Sequence, residues 1–310
     1  MAEGRGCLKK VLVGCGGALA AVILLVVIVS SLAFREVSRR QKSAPVLAPL
    51  DETVLQREDA GARPLSVMPP LGRPGRIVLV LGQGEFSVEP AAPDAGPSAE
   101  AKYDPDYHEF VETYELLADS TWVYKVGFRR IKSGFGAFLE AIFGNQVDAK
   151  VDVRLPRDWP LELDLQGEEG GIEMELGGLW LTTAELHFKK GGITVDIDEP
   201  LREPMDALVI KTSMGGCDAK GLGNASPRTL TVNCGMGGAS LDLDGEWSRP
   251  CTADFVVTMG GIAVLVPDDL EANDVTGAEA DLVSPPAEVD LPVLNYTLSA
   301  KMGEIDVTDR

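Results

Sequence analysis

Carboxylates are the side chains of this 310-residue sequence whose types and spacing best suit a chemical role. They recur after a repeated Gly-Gly step and alternate there with apolar residues, so a strand would point them all to one face. Oxygen ligands of this kind bind Ca²⁺, and stacked strands would bring one column of them to a spacing of about 4.8 Å. The alternative is a solvated ladder in which Lys220 separates Asp196 from Asp242. The carboxylates concerned are Glu173, Glu175, Asp196, Asp198, Asp218, Asp242, Asp244 and Asp306.

Sequence motifs of catalysis are absent. The chain has no GxSxG, no HExxH and no phosphate-binding loop, and its five cysteines form no CxxC pair. Cys217 and Cys234 fall at inward positions of the repeat, where a thiol behaves as a small apolar residue; a disulfide between neighbouring coils is the alternative. We therefore expect a protein that is not an enzyme and has no cofactor, apart from the Ca²⁺ considered above.

Carbohydrate chemistry is the enzymatic alternative, because glycoside-cleaving enzymes use pairs of carboxylates. This hypothesis requires acids from different coils to converge in a groove lined by aromatic side chains. Aromatic residues make up only 6% of the chain, so few can line such a groove. The candidates are Trp122, Trp159 and Trp180.

Glycine corners are the elements that would position the carboxylates. The Gly-Gly steps are separated by 21, 24, 22 and 23 residues, and Gly303 follows 43 residues after the last one, which is about two repeats. A period of this length is typical of stacked β-coils. Glycine is needed at each corner because the next coil packs against the backbone there. The predicted corner residues are Gly84, Gly170, Gly171, Gly191, Gly192, Gly215, Gly216, Gly237, Gly238, Gly260, Gly261 and Gly303.

Alternation of apolar and polar residues on both sides of each corner predicts two strands per coil, each with one buried face. The fold class is therefore all-β, with stacked coils of about 22 residues. A methionine directly precedes four of the corners, and we interpret these residues as one interior column that fills the corner. A metal site of thioether ligands is the alternative. The four residues are Met214, Met236, Met259 and Met302.

The N-terminal part predicts membrane attachment. Residues 1–10 form a basic tail, and residues 11–34 carry no charge over a length that lets a helix cross a bilayer. A cleaved signal sequence is the alternative. The short tail ahead of the apolar run favours a single-pass signal anchor, with the rest of the chain outside the cytoplasm. Residues 35–75 are rich in proline and predict a linker.

Residues 76–310 are predicted to form the β-domain, with an irregular part at 90–150. Residues 76–89 look like a first, outlying copy of the repeat, because the Gly-Glu-apolar triplet at 84–86 matches the triplet at 303–305. Within the irregular part, apolar residues at helical spacing predict a short amphipathic helix. This helix either caps the stack or contacts the membrane or a partner. Its apolar residues are Phe135, Phe138, Leu139, Ile142 and Phe143.

Charge is distributed unevenly along the chain. The net charge is −20, and residues 1–42 carry seven Lys/Arg and two Asp/Glu, so the remainder carries −25. An acidic body of this size repels the phosphates of nucleic acids. We therefore expect no nucleic-acid partner, whereas a cation or a basic peptide would be tolerated.

The segments at 77–86, 153–156 and 161–266 resemble the toast-rack or adhesin-like domain of bacterial membrane-anchored proteins, the group that includes LiaF-like and PspC-related cell-envelope stress proteins. The resemblance implies a right-handed β-solenoid without known catalysis, which works in envelope sensing or as a scaffold beside other membrane proteins. A single predicted span and a proline-rich linker depart from the LiaF-like pattern.

The sequence thus predicts a single-pass membrane protein that contacts the lipid bilayer through residues 11–34 and displays an acidic β-solenoid outside the cytoplasm. We expect it to act by binding or as a scaffold, in cell-envelope stress sensing or adhesion, with a protein partner in the envelope or with further copies of itself. The alternatives are a carbohydrate-active enzyme and a self-assembling structural module.

Overall fold

The computed structural model describes residues 54–57, 68–70, 72–131, 149–268, 270–276 and 292–309. Residues 1–34, where the basic tail and the transmembrane helix are predicted, lie outside these ranges, and so does most of the linker. The predicted amphipathic helix lies outside them as well. Within the described ranges, no helix has the length and apolar character needed to cross a bilayer.

Strands account for all but one of the regular elements in the described part of the chain. The exception is a short 3-10 helix at Leu222–Ala225. The prediction of an all-β structure is confirmed. The strands are β1 (Val54–Arg57), β2 (Gly75–Pro90), β3 (Ser98–Lys102), β4 (His108–Leu116), β5 (Trp122–Arg130), β6 (Lys150–Leu155), β7 (Leu161–Glu175), β8 (Leu181–Asp196), β9 (Ala207–Met214), β10 (Cys217–Lys220), β11 (Thr229–Met236), β12 (Ala239–Asp242), β13 (Cys251–Met259), β14 (Ile262–Val266), β15 (Glu271–Asp274), β16 (Val293–Met302) and β17 (Ile305–Asp309).

The strands pair in two parallel rows that meet at the glycine corners. The first row runs β5, β2, β7, β8, β9, β11, β13, β16. The second row runs β6, β2, β7, β8, β10, β12, β14, β17. Strands β2, β7 and β8 continue through the corner and belong to both rows. Each repeat is therefore one coil of strand, corner and strand, and the predicted parallel stacking is confirmed.

The order of the coils differs from the order of the chain. Strand β2 pairs with β5 and β6 on one side and with β7 on the other. Residues 76–89 are therefore a copy of the repeat, as predicted, but they lie within the stack and not outside it. The chain turns back past β2 before it continues as β7, and the antiparallel strands β3 and β4 then border the outer coil. This arrangement pairs strand edges that would otherwise be open.

The spacing of 43 residues before Gly303 also corresponds to one step of the stack rather than two. Met259 pairs directly with Met302, and β14 pairs with β17. The additional residues include β15, which pairs with the first half of β16.

The core consists of apolar columns that run through successive coils. In the first row one such column is fully or almost fully buried from end to end, and each of its members pairs with the next. Burying a side chain of this size stabilises the fold by about 1.5–3 kcal/mol, so the core sets the register of all coils together. The column is Val126, Leu79, Leu165, Leu186, Ile210, Val232, Phe255 and Leu298.

Candidate functional site

The first glycine of each corner meets the backbone of the coil beside it. At Gly191 φ is 119°, and an added Cβ would lie 1.7 Å from the carbonyl oxygen of Gly170. A Cβ at Gly303 would lie 1.5 Å from the carbonyl oxygen of Gly260. Glycine is required at both positions because it carries no Cβ, and at Gly191 also because its backbone adopts positive φ. Gly170, Gly215, Gly237 and Gly260 share this geometry.

The second glycine of each pair has room for a Cβ. An added Cβ at Gly171 or Gly192 would meet no atom within 4 Å. At Gly216, Gly238 and Gly261 the nearest atom is at least 3.5 Å away. At Gly84, in β2, an added Cβ would lie 2.7 Å from the carbonyl oxygen of Ala149. The steric requirement therefore falls on one glycine per corner.

The methionine column lies on the outside of the corner, so its prediction as an interior column is wrong. The side chains of Met214, Met236, Met259 and Met302 are 38%, 41%, 36% and 61% exposed. They occupy equivalent places in successive coils of the first row, and each pairs with the next. We call these four residues the methionine ladder.

The lack of neighbouring side chains at the corner explains the exposure of the methionine ladder. Each of its first three members is followed by two glycines, which offer no side chain to cover the thioether. The same column holds polar residues in the earlier coils, namely Gln83, Glu169 and Lys190. Strand alternation predicts the wrong side here because the chain turns at the corner. The polar residues of the earlier coils are the sequence signal that could have placed the column outside.

The carboxylates after the corners form rows on the outer face of the second row of strands. Glu175 pairs with Asp196, and Asp196 with Lys220. The Lys220 ammonium lies 3.7 Å from the carboxylate of Asp218, within its own strand. This ion pair is about half exposed and contributes about 0–1 kcal/mol. Within the described ranges, no three His, Cys, Asp or Glu side chains are grouped closely enough to hold a metal ion.

Three buried cysteines lie inside the coils with free thiols. The hydrogen bond to Cys234, together with burial, raises the pKa of Cys217. Burial raises the pKa of Cys251 to about 12. Thiols that stay protonated are poor nucleophiles, so Cys217 and Cys251 act as core residues.

The three tryptophans considered for sugar stacking do not line a common groove. Trp122 and Trp159 are buried, and their Nε1 atoms donate hydrogen bonds to backbone carbonyls of Arg73 and Pro70 at 3.2 and 2.9 Å. The ring of Trp180 is covered by the guanidinium of Arg202, 4.9 Å from its centroid. Trp122 and Trp159 are therefore part of the core, and Trp180 makes a cation–π contact with Arg202.

A largely polar surface, with Val256 as its one apolar residue, covers the outside of β11, β13 and β16, and sequence reasoning missed it. Its nine side chains stand in register, three from each strand, and neighbouring strands are about 4.8 Å apart. Asp254 is its one charged residue, and its carboxylate accepts a hydrogen bond of 2.6 Å from the hydroxyl of Thr297. We call this surface the hydroxyl face. It consists of Thr229, Thr231, Asn233, Thr252, Asp254, Val256, Asn295, Thr297 and Ser299.

The signal for the hydroxyl face was present in the sequence as threonine and asparagine at alternate positions. Each strand alone shows only two or three polar residues, which any solvated strand also shows. The pairing of Thr229 with Thr252 and of Thr231 with Asp254 joins them into one surface. This surface stands out because it is nearly uncharged in a strongly acidic chain.

Comparison with known proteins gives two structural likenesses. Neither a protein-family model nor a curated protein matches the chain. A candidate cell adhesion protein from Clostridium sporogenes has 13% sequence identity and a TM-score of 0.37, over 83% of this chain and 100% of that chain. A candidate adhesin from Bacteroides fragilis has 10% identity and a TM-score of 0.27, over 83% of this chain and 98% of that chain. At these TM-scores the likenesses do not show a common fold.

Proposed function

We propose that this protein is a membrane-anchored, non-catalytic binding module of the cell envelope, built as a right-handed β-solenoid. The proposal rests on the presence of the hydroxyl face. Seven of its nine side chains carry hydroxyl or amide groups, and they stand on a sheet whose other side is fixed by the core. Such an array suits a partner surface that offers uncharged hydrogen-bonding groups at repeated intervals.

The remaining chemistry of the described residues supports binding over catalysis. Active sites are typically where titratable groups in a cleft have strongly shifted pKa values. Here the largest shifts fall on the thiols of Cys217, Cys234 and Cys251, which are buried inside the coils and do not line a cleft. The membrane anchor rests on the uncharged run at 11–34, and the envelope role rests on the resemblance to toast-rack proteins.

Adhesion of cells that display the full chain tests this proposal. Surfaces coated with dextran, peptidoglycan or serum albumin provide a neutral polysaccharide, an envelope polymer and a protein. We expect displayed protein to increase adhesion to at least one surface. The increase should persist in high salt, because an uncharged contact is little affected by screening.

Matched variants locate the contact. The double variant Thr252→Arg and Ser299→Arg places two bulky cations on the hydroxyl face at exposed positions, and should abolish the added adhesion. Ser240→Arg introduces the same side chain on the exposed outside of the second row and should leave it unchanged. An equal loss of the added adhesion in the double variant and in Ser240→Arg would contradict the proposal. So would the absence of added adhesion to every surface.

Self-assembly is a second candidate, favoured by the last strand. Ile305 and Val307 of β17 are 43% and 38% exposed, although their pairing partners Ile262 and Val264 are buried. In the described part of the chain, β17 pairs only with β14. Sedimentation of the full chain should then show oligomers that Val307→Lys dissociates. A monomer at all concentrations would exclude this candidate.

A further inference from the structure

The methionine ladder contains four sulfur ligands that the fold itself does not need. The same column holds Gln83, Glu169 and Lys190 in the preceding coils, which pair in the same register. The thioethers are 36–61% exposed, so they contribute little to the core. Their number, order and exposure call for another role.

The spacing of the ladder suits metal coordination. Adjacent strands are about 4.8 Å apart, and each methionine has three rotatable side-chain bonds that let neighbouring sulfur atoms converge on one ion. Glycines follow the first three methionines at the corner and leave room around the sulfur atoms. Thioethers are soft ligands and select soft cations such as Cu(I) over Ca²⁺, Mg²⁺ or Mn²⁺. We propose that the methionine ladder binds a soft monovalent cation, Cu(I) or Ag(I), through three consecutive thioethers.

Charges around the ladder are compatible with a cation and limit where it binds. The thioethers are neutral, and the net charge of −20 gives the chain a potential that attracts cations. Lys190 continues the column next to Met214, so the cation is confined to the four methionines. Lys301 lies beside Met302 and is exposed, so a cationic side chain flanks both terminal positions of the ladder.

Titration of the full chain with Ag(I), followed through the ¹³C-labelled methionine methyl groups by NMR, tests this inference. We expect the methyl signals of the ladder to shift and to saturate together. The buried Met174 and Met205 serve as internal controls and should not move. Anaerobic titration with Cu(I) should shift the same signals.

Single substitutions separate central from terminal ligands. Every set of three consecutive ladder residues includes Met236 and Met259, so Met236→Leu or Met259→Leu should abolish binding. Met214→Leu or Met302→Leu leaves one complete set, and should weaken binding only by about twofold, the statistical loss of one of two equivalent sets. Leucine preserves the apolar surface, so these variants distinguish ligation from apolar contact.

Three results would overturn the inference. The first is an absence of shifts in the ladder methyl groups with both ions. The second is unchanged binding in the variant with all four positions replaced by leucine, because the ion would then be held elsewhere, for instance by the cysteines. The third is equal loss in central and terminal variants, which contradicts coordination by three consecutive thioethers.

Discussion

Replacing Gly215 by alanine tests the stacking of corners most directly. In this residue φ is 136°, and an added Cβ would lie 1.7 Å from the carbonyl oxygen of Gly191. Real Cβ atoms essentially never come within 3.0 Å of such an atom, so the coil would have to shift by over an ångström. Gly216 is the matched control, since the nearest atom to its added Cβ is 3.8 Å away.

Two costs determine the size of the effect. Forcing a side chain into a sparsely populated backbone region costs about 1–3 kcal/mol. Moving the coil weakens the hydrogen bonds beside the corner, from the Gly215 amide to the Met236 carbonyl at 2.7 Å and from the Ile193 amide to the Gly216 carbonyl at 3.0 Å. Each contributes about 1 kcal/mol. We expect Gly215→Ala to lower the free energy of unfolding by about 3–5 kcal/mol.

Urea denaturation followed by circular dichroism measures this difference. Gly216→Ala should be neutral, or stabilising by up to about 1 kcal/mol, because alanine restricts the unfolded chain. A steric role of Gly215 is excluded if Gly215→Ala unfolds at the urea concentration of the unmodified protein, or if the two variants are destabilised equally.

Two further predictions concern the strands that border the outer coil. Burial and the nearby Arg130 charge lower the pKa of His108 from 6.5, so the unfolded chain takes up the proton first and the free energy of unfolding falls as the pH drops below about 6.5. In His108→Phe, which keeps the aromatic stack on Phe128, this fall should vanish between about pH 7 and 5; an unchanged slope would contradict the assignment. The buried carboxylate of Glu112 accepts a hydrogen bond of 2.5 Å from the hydroxyl of Tyr124, so Tyr124→Phe should cost about 1–3 kcal/mol. A double-mutant cycle with Glu112→Leu should show coupling of at least about 1 kcal/mol, and additive effects would show that the two groups act independently.

Much of each coil could be predicted from its own sequence. Strand alternation correctly predicts that Ile193 and Val195 point inward, because successive side chains of a strand point to opposite faces of the sheet. Each corner could be predicted from its Gly-Gly step. The sequence does not show that Gly215 is indispensable and Gly216 is not, because this depends on the carbonyl of Gly191 in the neighbouring coil.

The candidate surfaces could be predicted less well. Alternation continued through the corner suggests that Met236 is buried, since Val232 and Cys234 point inward. At the corner the backbone changes direction, so the side-chain parity of the strand no longer applies. The hydroxyl face depends on strands far apart in the sequence that become neighbours, such as those of Asp254 and Thr297.

The all-β class, the parallel stacking of repeated coils and the inward columns follow from the sequence, because alternation and glycine geometry act within short segments. The choice of which coils are neighbours is a property of the assembled fold. Strand β2 lies between β6 and β7, and β14 pairs with β17 across 43 residues. The length of a loop does not specify which strand the next segment pairs with. That pairing depends on the hydrogen bonds and burial of the whole stack.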